Sequence, residues 1–151
     1  MAKIYLIGSL RNPKIIETAL MLRAAGHEVF DDWISAGPEA DDYWQKYEIA
    51  KGNNYKQGLA GYAAKHVYEF DKYHLDRNDI AILVLPAGKS GHLELGYMIG
   101  KGKPGYILFD EVMPDRWDVM YRFGTGVFFS VNELIAELSI NNTQPNEGKI
   151  D

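Results

Sequence analysis

Two carboxylates, Asp71 and Glu94, are the residues of this sequence best suited to do chemistry. Glu94 follows an apolar run over residues 79–85 and a short loop of glycine and serine, where a helix-like segment opens. A carboxylate near a helix N-terminus is favoured in its charged form, so we expect Glu94 to keep a low pKa and act as a nucleophile. A second carboxyl group beside it can transfer a proton. Such a pair is the equipment for cleaving a glycosidic bond with retention of configuration.

Each carboxylate also has a purely structural interpretation. If Gly91 is the N-cap, Glu94 is the third residue of its helix, where a glutamate complements the helix dipole or completes a capping box. Asp71 lies in a long helical segment, where a solvated surface aspartate is common. The spacing of the residues leaves these interpretations open beside the catalytic one.

Candidate substrate-binding residues lie around the two carboxylates. The loop with Gly88, Ser90 and Gly91 can hold a phosphate or a sugar hydroxyl through backbone N–H groups, although it matches neither the Walker motif nor GxGxxG. Asp32 and Trp33 end the second predicted strand at the same edge of the sheet. The aspartate could hydrogen-bond to the edge of a heterocycle and the indole could stack on its face. The alternative is that both residues belong to a surface turn without a ligand.

Strand-like and helix-like segments alternate along the chain. Predicted strands cover residues 3–8, 27–33, 79–85, 104–109 and 127–129. Predicted helices begin at 13 after the N-cap Asn12, near 41, at 55, at 91 and at 131, and residues 117–123 stay unassigned. We therefore expect an α/β fold: a doubly wound, mostly parallel five-stranded sheet with helices on both faces, of the flavodoxin or Rossmann-like kind.

Composition narrows the class of protein. The 151 residues suit a single domain over residues 1–140, followed by a disordered tail over 141–151 that has few apolar residues. The net charge of −5 argues against a nucleic-acid polymer or an anionic membrane as partner. The chain has no cysteine, and its histidines lack metal-ligand spacing, so we expect no metal and no cofactor. The N-terminus has no signal-peptide pattern, which makes the cytoplasm the expected location.

Several segments together resemble the nucleoside 2-deoxyribosyltransferases. They are Tyr-Leu-Ile-Gly-Ser-Leu-Arg at 5–11, Asp71 followed by Asp79, Leu-Glu-Leu-Gly-Tyr at 93–97, and Gly-Lys-Pro at 102–104. Their order and separation agree with that family over almost the whole predicted domain. The resemblance implies a doubly wound fold, deoxyribonucleosides and free nucleobases as ligands, and transfer of 2-deoxyribose between bases through a covalent deoxyribosyl-glutamate.

The resemblance also implies residue roles. Glu94 would be the nucleophile, Asp71 would exchange a proton with the base, and Tyr5 would orient the glutamate. The site of this family is usually completed by a neighbouring subunit, so a homo-oligomer is expected. The completing segment here contains Asp118, which would touch a sugar hydroxyl, and Met120.

An alternative to base exchange is hydrolysis of deoxynucleoside 5′-monophosphates, which relatives of this family perform. Their first loop resembles Gly8, Ser9 and Arg11 of this chain, and Arg11 is suited to pair with a phosphate. Asp118 favours a free 5′-hydroxyl instead, because its carboxylate would repel a phosphate. A non-catalytic nucleotide-binding module is a second alternative, although such a module needs neither Glu94 nor Asp71.

Overall fold

A five-stranded parallel sheet forms the centre of the protein within residues 1–110 and 112–143, which are the residues that this computed structural model describes. The strand order is β2-β1-β3-β4-β5, and every neighbouring pair is parallel. The strands are β1 Lys3–Ile7, β2 Glu28–Phe30, β3 Ile80–Val84, β4 Gly105–Leu108 and β5 Gly126–Phe128. The predicted α/β class is confirmed.

This part of the chain contains six α-helices. They are α1 Lys14–Ala24, α2 Ala40–Ala50, α3 Tyr55–Leu59, α4 Tyr62–Arg77, α5 Lys89–Gly100 and α6 Val131–Thr143. Of these, α1 and α6 pack on one face of the sheet and α4 and α5 on the other. Two 3₁₀-helices, Asp32–Ala36 and Val119–Phe123, follow β2 and precede β5. None of these helices combines the length and the apolar character that a bilayer span requires.

Alternate residues of β1 pack into two separate apolar clusters, because successive side chains of a strand point to opposite faces. Ile4 and Leu6 pack with buried residues of α1 and α6. Tyr5 and Ile7 pack on the other face, with buried residues of α4 and α5. Tyr5 therefore points toward the two helices that carry Asp71 and Glu94.

Three of the predicted helices have different boundaries in the structure. The expected helix over 55–78 is divided after Leu59, and Gly61 begins a new helix as its N-cap. The helix carrying Glu94 begins at Lys89 instead of Gly91. Asn12 accepts a hydrogen bond from the Lys14 backbone N–H (3.0 Å), but Pro13 is the N-cap, so α1 begins one residue later than predicted.

The last helix also extends past its predicted end. It continues to Thr143, so residues 141–143 are helical where a disordered tail was expected. The predicted capping box at its start is present in part, since Ser130 Oγ accepts from the Glu133 backbone N–H (3.4 Å). The remaining tail, 144–151, lies outside the described residues.

Candidate active site between the sheet and helices α4 and α5

Tyr5, Asp71 and Glu94 come together beneath α4 and α5. Tyr5 is almost completely buried in β1, and its hydroxyl hydrogen-bonds to the Glu94 carboxylate. Asp71, on α4, lies close enough for its charge to act on both Tyr5 and Glu94. Three elements that are distant in sequence thus deliver two carboxyl groups and a phenol to one place.

Glu94 lies deeper in its helix than the sequence predicted. Because Gly88 is the N-cap, Glu94 is the sixth residue of α5, and no acidic side chain lies in the first turn. A capping box or an end-of-helix dipole contact needs a residue in that first turn. The structural interpretation of Glu94 as a capping residue is therefore excluded.

The surroundings of Glu94 favour its neutral form. Burial, followed by the negative charge of Asp71, raises the pKa of the Glu94 carboxyl to about 7, although the hydrogen bond from Tyr5 opposes this rise. The expected low pKa is therefore wrong, because desolvation at this depth outweighs the helix N-terminus. Burial also raises the pKa of Asp71. Near neutral pH the pair can hold one proton between its two carboxyl groups, which suits one nucleophile and one acid.

The predicted loop residues line a separate cleft at the carboxyl ends of β1 and β3. The cleft has a volume of about 430 Å³, and its lining includes Ser9, Arg11 and Gly88. Gly8 begins the same loop, and Ser90 is exposed in the first turn of α5. Tyr5, Asp71 and Glu94 do not line this cleft. The structure thus places the predicted binding loop beside the carboxylate cluster and not around it.

Gly91 has a packing role. It is buried, and a Cβ atom added there would lie 3.1 Å from side-chain atoms of Ile7 and Leu83. The glycine allows α5 to approach β1 and β3 closely. This contact accounts for Gly91 without a ligand, and its predicted binding role stays a prediction.

Sequence reasoning missed three residues of the cleft. Asn12 is buried, and its Nδ2 has no hydrogen-bond partner among the described residues. Its Oδ1 already accepts from the Lys14 backbone N–H, so the amide nitrogen is fixed as the free donor. Lys14 forms an ion pair with Asp110, which follows β4 at the same edge of the sheet. A polar residue directly after a buried strand was the signal that could have found Asp110.

Arg11 is already paired in the structure. Its guanidinium contacts the Asp42 carboxylate (3.2 Å) and the Pro38 carbonyl oxygen (3.3 Å). Both partners belong to the segment that leads into α2 and to α2 itself. Arg11 therefore connects the first loop to the helix that covers it, and a ligand phosphate would compete with Asp42 for the same guanidinium.

Trp33 and Asp32 lie at the predicted edge but in a 3₁₀-helix. The Trp33 indole N–H donates to the Leu6 carbonyl oxygen (2.8 Å), and the ring packs against both apolar clusters. Trp33 therefore anchors this helix to β1, and its predicted role in stacking on a heterocycle stays a prediction. Asp32 is exposed, and its charge acts on His74.

An aromatic layer beside Asp71 was also missed. The His74 ring stacks on Phe30 with centroids 3.9 Å apart and an interplanar angle of 11°. Phe30 in turn contacts Tyr5 at 5.1 Å. Burial lowers the pKa of His74, which favours the neutral imidazole at pH 7. The helical apolar stripe contained Phe70 and His74, but periodicity does not tell an apolar stripe from a platform for a flat ligand.

Asp118 and Met120 lie in the segment before β5. Asp118 is exposed and accepts a hydrogen bond from the Met120 backbone N–H (2.8 Å), which caps the short helix. Asp118 lines a second cleft, of about 780 Å³. Tyr121 lines it too, and its hydroxyl hydrogen-bonds to His92 Nε2 (2.9 Å). Within the described residues, neither Asp118 nor Met120 hydrogen-bonds to the carboxylate cluster.

The described residues contain no group of three His, Asp or Glu side chains placed to hold a metal ion.

Comparison with solved structures relates this fold to enzymes that act on nucleosides and nucleotides. A 2-deoxyribosyltransferase from Bacillus psychrosaccharolyticus superposes with a TM-score of 0.59 at 18% identity, over 89% of this chain and 90% of that one. A CMP N-glycosidase from Clostridium botulinum gives 0.52 at 14% identity, over 91% and 99%. A conserved protein from Enterococcus faecalis gives 0.66 at 15% identity, over 93% and 99%.

The sequence matches no protein-family model and no curated protein. The likeness to the deoxyribosyltransferase therefore lies in the fold, and at that level the resemblance noted from the sequence is confirmed.

The hydrogen bond from Tyr5 to Glu94 allows a prediction about the pKa of the Glu94 carboxyl. Tyr5→Phe removes a donor that stabilises the carboxylate, so the pKa of Glu94 should rise above its value of about 7. We expect a rise of about one pH unit, because a hydrogen bond to a charged group contributes roughly 1.5–3 kcal/mol. The measurement is an NMR titration with ¹³C-labelled glutamate carboxyls, with the Glu94 signal assigned by its loss in Glu94→Gln.

The matched control is Tyr97→Phe. Tyr97 lies on α5, as Glu94 does, but its hydroxyl donates to Asp76 and not to Glu94. This variant should leave the Glu94 midpoint unchanged. A midpoint that stays constant or falls in Tyr5→Phe would contradict the geometry described for the cluster.

Proposed function

We propose that this protein, which has the fold of the nucleoside 2-deoxyribosyltransferases, transfers 2-deoxyribose from one nucleobase to another. The observation that supports this function is the cluster formed by buried Tyr5 with the half-buried carboxyl groups of Asp71 and Glu94. A fold alone does not determine a function, but two carboxyl groups with raised pKa values at one site are suited to N-glycosidic chemistry. The substrates, deoxyribonucleosides and free bases, are soluble metabolites, and we expect the protein to meet them in the cytoplasm without a cofactor.

Because the surroundings of Glu94 favour its neutral form, the reactive form of the pair is the one in which the shared proton has passed from Glu94 to Asp71. In the first step, the Glu94 carboxylate of this form attacks C1′ of the bound deoxynucleoside. The C1′–N bond breaks with its electron pair moving to the base, and protonated Asp71 gives its proton to the departing nitrogen. The products are a deoxyribosyl ester of Glu94, a neutral base and ionised Asp71. Tyr5 holds the Glu94 oxygen in place by its hydrogen bond, which fixes the direction of attack.

In the second step, a different base enters the vacated position. Asp71 accepts a proton from its ring nitrogen while that nitrogen attacks C1′, and Glu94 leaves as a carboxylate. Two displacements on opposite faces restore the original configuration at C1′. If water takes the place of the acceptor base, the same cluster performs hydrolysis.

The nucleophile and the acid have separate expected phenotypes. Glu94→Gln should abolish exchange of the base between deoxyinosine and adenine, because the amide cannot form the ester. Asp71→Asn should lower the exchange rate about 10²- to 10⁴-fold, the usual contribution of general acid–base catalysis. Chromatography of the bases and nucleosides measures both.

The control for these variants is Glu69→Gln. It removes an exposed carboxylate of α4 that forms an ion pair with Lys65 on the same helix. It should exchange bases at the wild-type rate. Base exchange that persists in a folded Glu94→Gln protein would refute the assignment of the nucleophile. Tight nucleoside binding without any turnover in the wild type would instead favour the non-catalytic binding module.

A second candidate function is hydrolysis of deoxynucleoside 5′-monophosphates, favoured by the cleft beside the cluster. Arg11 and Lys14 line this cleft, and the unpartnered Nδ2 of buried Asn12 belongs to a third lining residue. The N-terminus of α5 lies at the same place, since its N-cap Gly88 is also in the lining. These groups are those that bind a phosphate.

We nevertheless expect the nucleoside to be the better substrate, because Asp42 and Asp110 already neutralise Arg11 and Lys14. A deoxynucleoside monophosphate without an acceptor base should therefore release its base more slowly than deoxynucleosides exchange theirs. Arg11→Met should change nucleoside exchange by less than about threefold, since it removes no group on the sugar carbon or base. The control for the loss of one positive charge is Arg77→Met, because Arg77 is an exposed arginine at the end of α4.

The opposite result would identify the hydrolase. In that case the monophosphate would release its base rapidly without an acceptor. Its KM would rise about 10- to 100-fold in Arg11→Met, as expected for the loss of a charge-assisted contact to phosphate.

We also propose that a second copy of the chain completes the site, through the segment with Asp118 and Met120. This segment exposes large apolar side chains, with Trp117 82% and Phe123 70% exposed, and helix α4 exposes Tyr62 at 88%. Apolar surface of this kind is typical of an interface between protein chains. In such an assembly, Asp118 of one copy would touch the sugar bound by the other.

Complementation between two inactive variants tests this assembly. Glu94→Ala and Asp118→Ala, each impaired alone, should recover about a quarter of the wild-type activity when unfolded and refolded together, since half the dimers are mixed and each has one intact site. Sedimentation should show an oligomer for both. No recovery in a preparation that contains mixed oligomers, or a monomer in sedimentation, would refute the shared site.

A further inference from the structure

The C-terminal end of α4 is capped by the Lys103 ammonium group, beside the Asn78 side chain, whose Nδ2 donates to the His74 carbonyl oxygen (2.6 Å). Lys103 Nζ donates to the carbonyl oxygens of Asp76 (2.7 Å), Asn78 (2.8 Å) and Leu75 (3.3 Å). An ammonium has three protons, and here each finds a backbone carbonyl. The final carbonyls of a helix have no partner within it, and they form the negative end of its dipole, where a cation is favourable.

The backbone of Lys103 belongs to the end of the other helix of the site. Gly102 adopts a φ of +80° after α5, and its N–H donates to the Ile99 carbonyl oxygen (2.9 Å). The Lys103 N–H donates to the Met98 carbonyl oxygen (3.1 Å). These two bonds form a Schellman motif, in which the position of Lys103 is fixed by α5. Lys103 thus caps α5 with its backbone and α4 with its side chain.

Helix α4 depends on such polar ties because little of it is buried. Among its residues, all of which the structure describes, Leu75 is the one classed as buried. Leu75 packs in the same apolar cluster as Leu95, the neighbour of Glu94, and its carbonyl oxygen accepts from Lys103. Asp71 lies one helical turn before Leu75. A shift of the α4 end would therefore move Asp71 relative to Glu94.

We propose that Lys103 is a positioning residue that couples α4 to α5 and so sets the separation of Asp71 and Glu94. This inference rests on the proposed function for its kinetic consequence, but not for its structural one. Lys103 touches no reacting atom, and it acts through the two helices whose ends it joins. The groups that face Glu94 across this junction are Tyr5 from β1 and Asp71 from α4.

The test variant is Lys103→Met, which keeps the length of the side chain and removes all three donors. With α4 released, water reaches Glu94 and Asp71 moves away, so the two causes that raise the Glu94 pKa both weaken. The ¹³C-carboxyl titration should therefore show a Glu94 midpoint at least about half a pH unit lower than in the wild type. For base exchange, kcat should fall about 10- to 100-fold with KM little changed, because misplacement of a catalytic group affects the chemical step.

The matched control is Lys101→Met. Lys101 lies two residues away and also contacts α4, but through an exposed pair with the Asp76 side chain (3.1 Å). Removing it causes the same change in net charge without uncapping the helix. It should leave the Glu94 midpoint and kcat close to the wild-type values.

Lys103→Arg covers the case in which the methionine variant does not fold. A planar guanidinium keeps the charge but does not place three protons on three converging carbonyl oxygens, so it should shift the midpoint in the same direction by a smaller amount. A folded Lys103→Met with a wild-type midpoint would overturn the proposal, as would a wild-type midpoint in Lys103→Arg if only that variant folds. Because the titration needs no substrate, it stays decisive even if the wild type fails to exchange bases, a result that would refute only the proposed function.

Discussion

Two carboxyl groups withdrawn from water at one place are the constraint on which the rest of this structure depends. Each prefers solvent, and each repels the charge of the other, so the fold must hold them together against their own electrostatics. The unfolded chain loses the Glu94 proton near pH 4.5, whereas the folded protein keeps it to about pH 7. The folded state therefore binds more protons in this interval, and the free energy of unfolding falls as the pH rises, on the order of 3 kcal/mol in total.

The sheet, and the close packing of α5 on it at Gly91, provide the rigidity that this arrangement needs. Tyr5 reaches Glu94 because the register of β1 directs it away from the α1 side, and Gly91 lets α5 lie close enough to β1 for the contact to form. The α4 side is held more by polar ties than by buried apolar area. The site thus combines a nucleophile on a well-packed helix with an acid on a helix that is held by the rings of Phe70 and His74 against Phe30 and by polar ties at its C-terminal end.

Much of the architecture could be predicted from the sequence because the strands are short, apolar and bounded by turn residues. The environment of Glu94 could not, because moving the helix start from Gly91 to Lys89 places this half-buried carboxylate in the second turn of α5 instead of the first. Tyr5 as a partner of Glu94 came from the family resemblance, since the alternation of a strand does not say which helix covers which face. The tie from Lys103 to α4 joins segments that are distant in sequence, and the free donor of Asn12 depends on the local turn geometry. Patterns in the sequence carry no information on either.

The position of β1 in the middle of the sheet has a consequence for how the chain folds. Ile4 pairs with Ile80, so more than seventy residues of chain separate β1 from its second neighbour. Closing such a large loop is entropically costly, and pairings of this kind slow folding. Until β3 emerges, the apolar residues of β1 have one short partner strand, β2, and little cover. During synthesis, β1 is therefore open to aggregation until the strand that leads to Glu94 has been made.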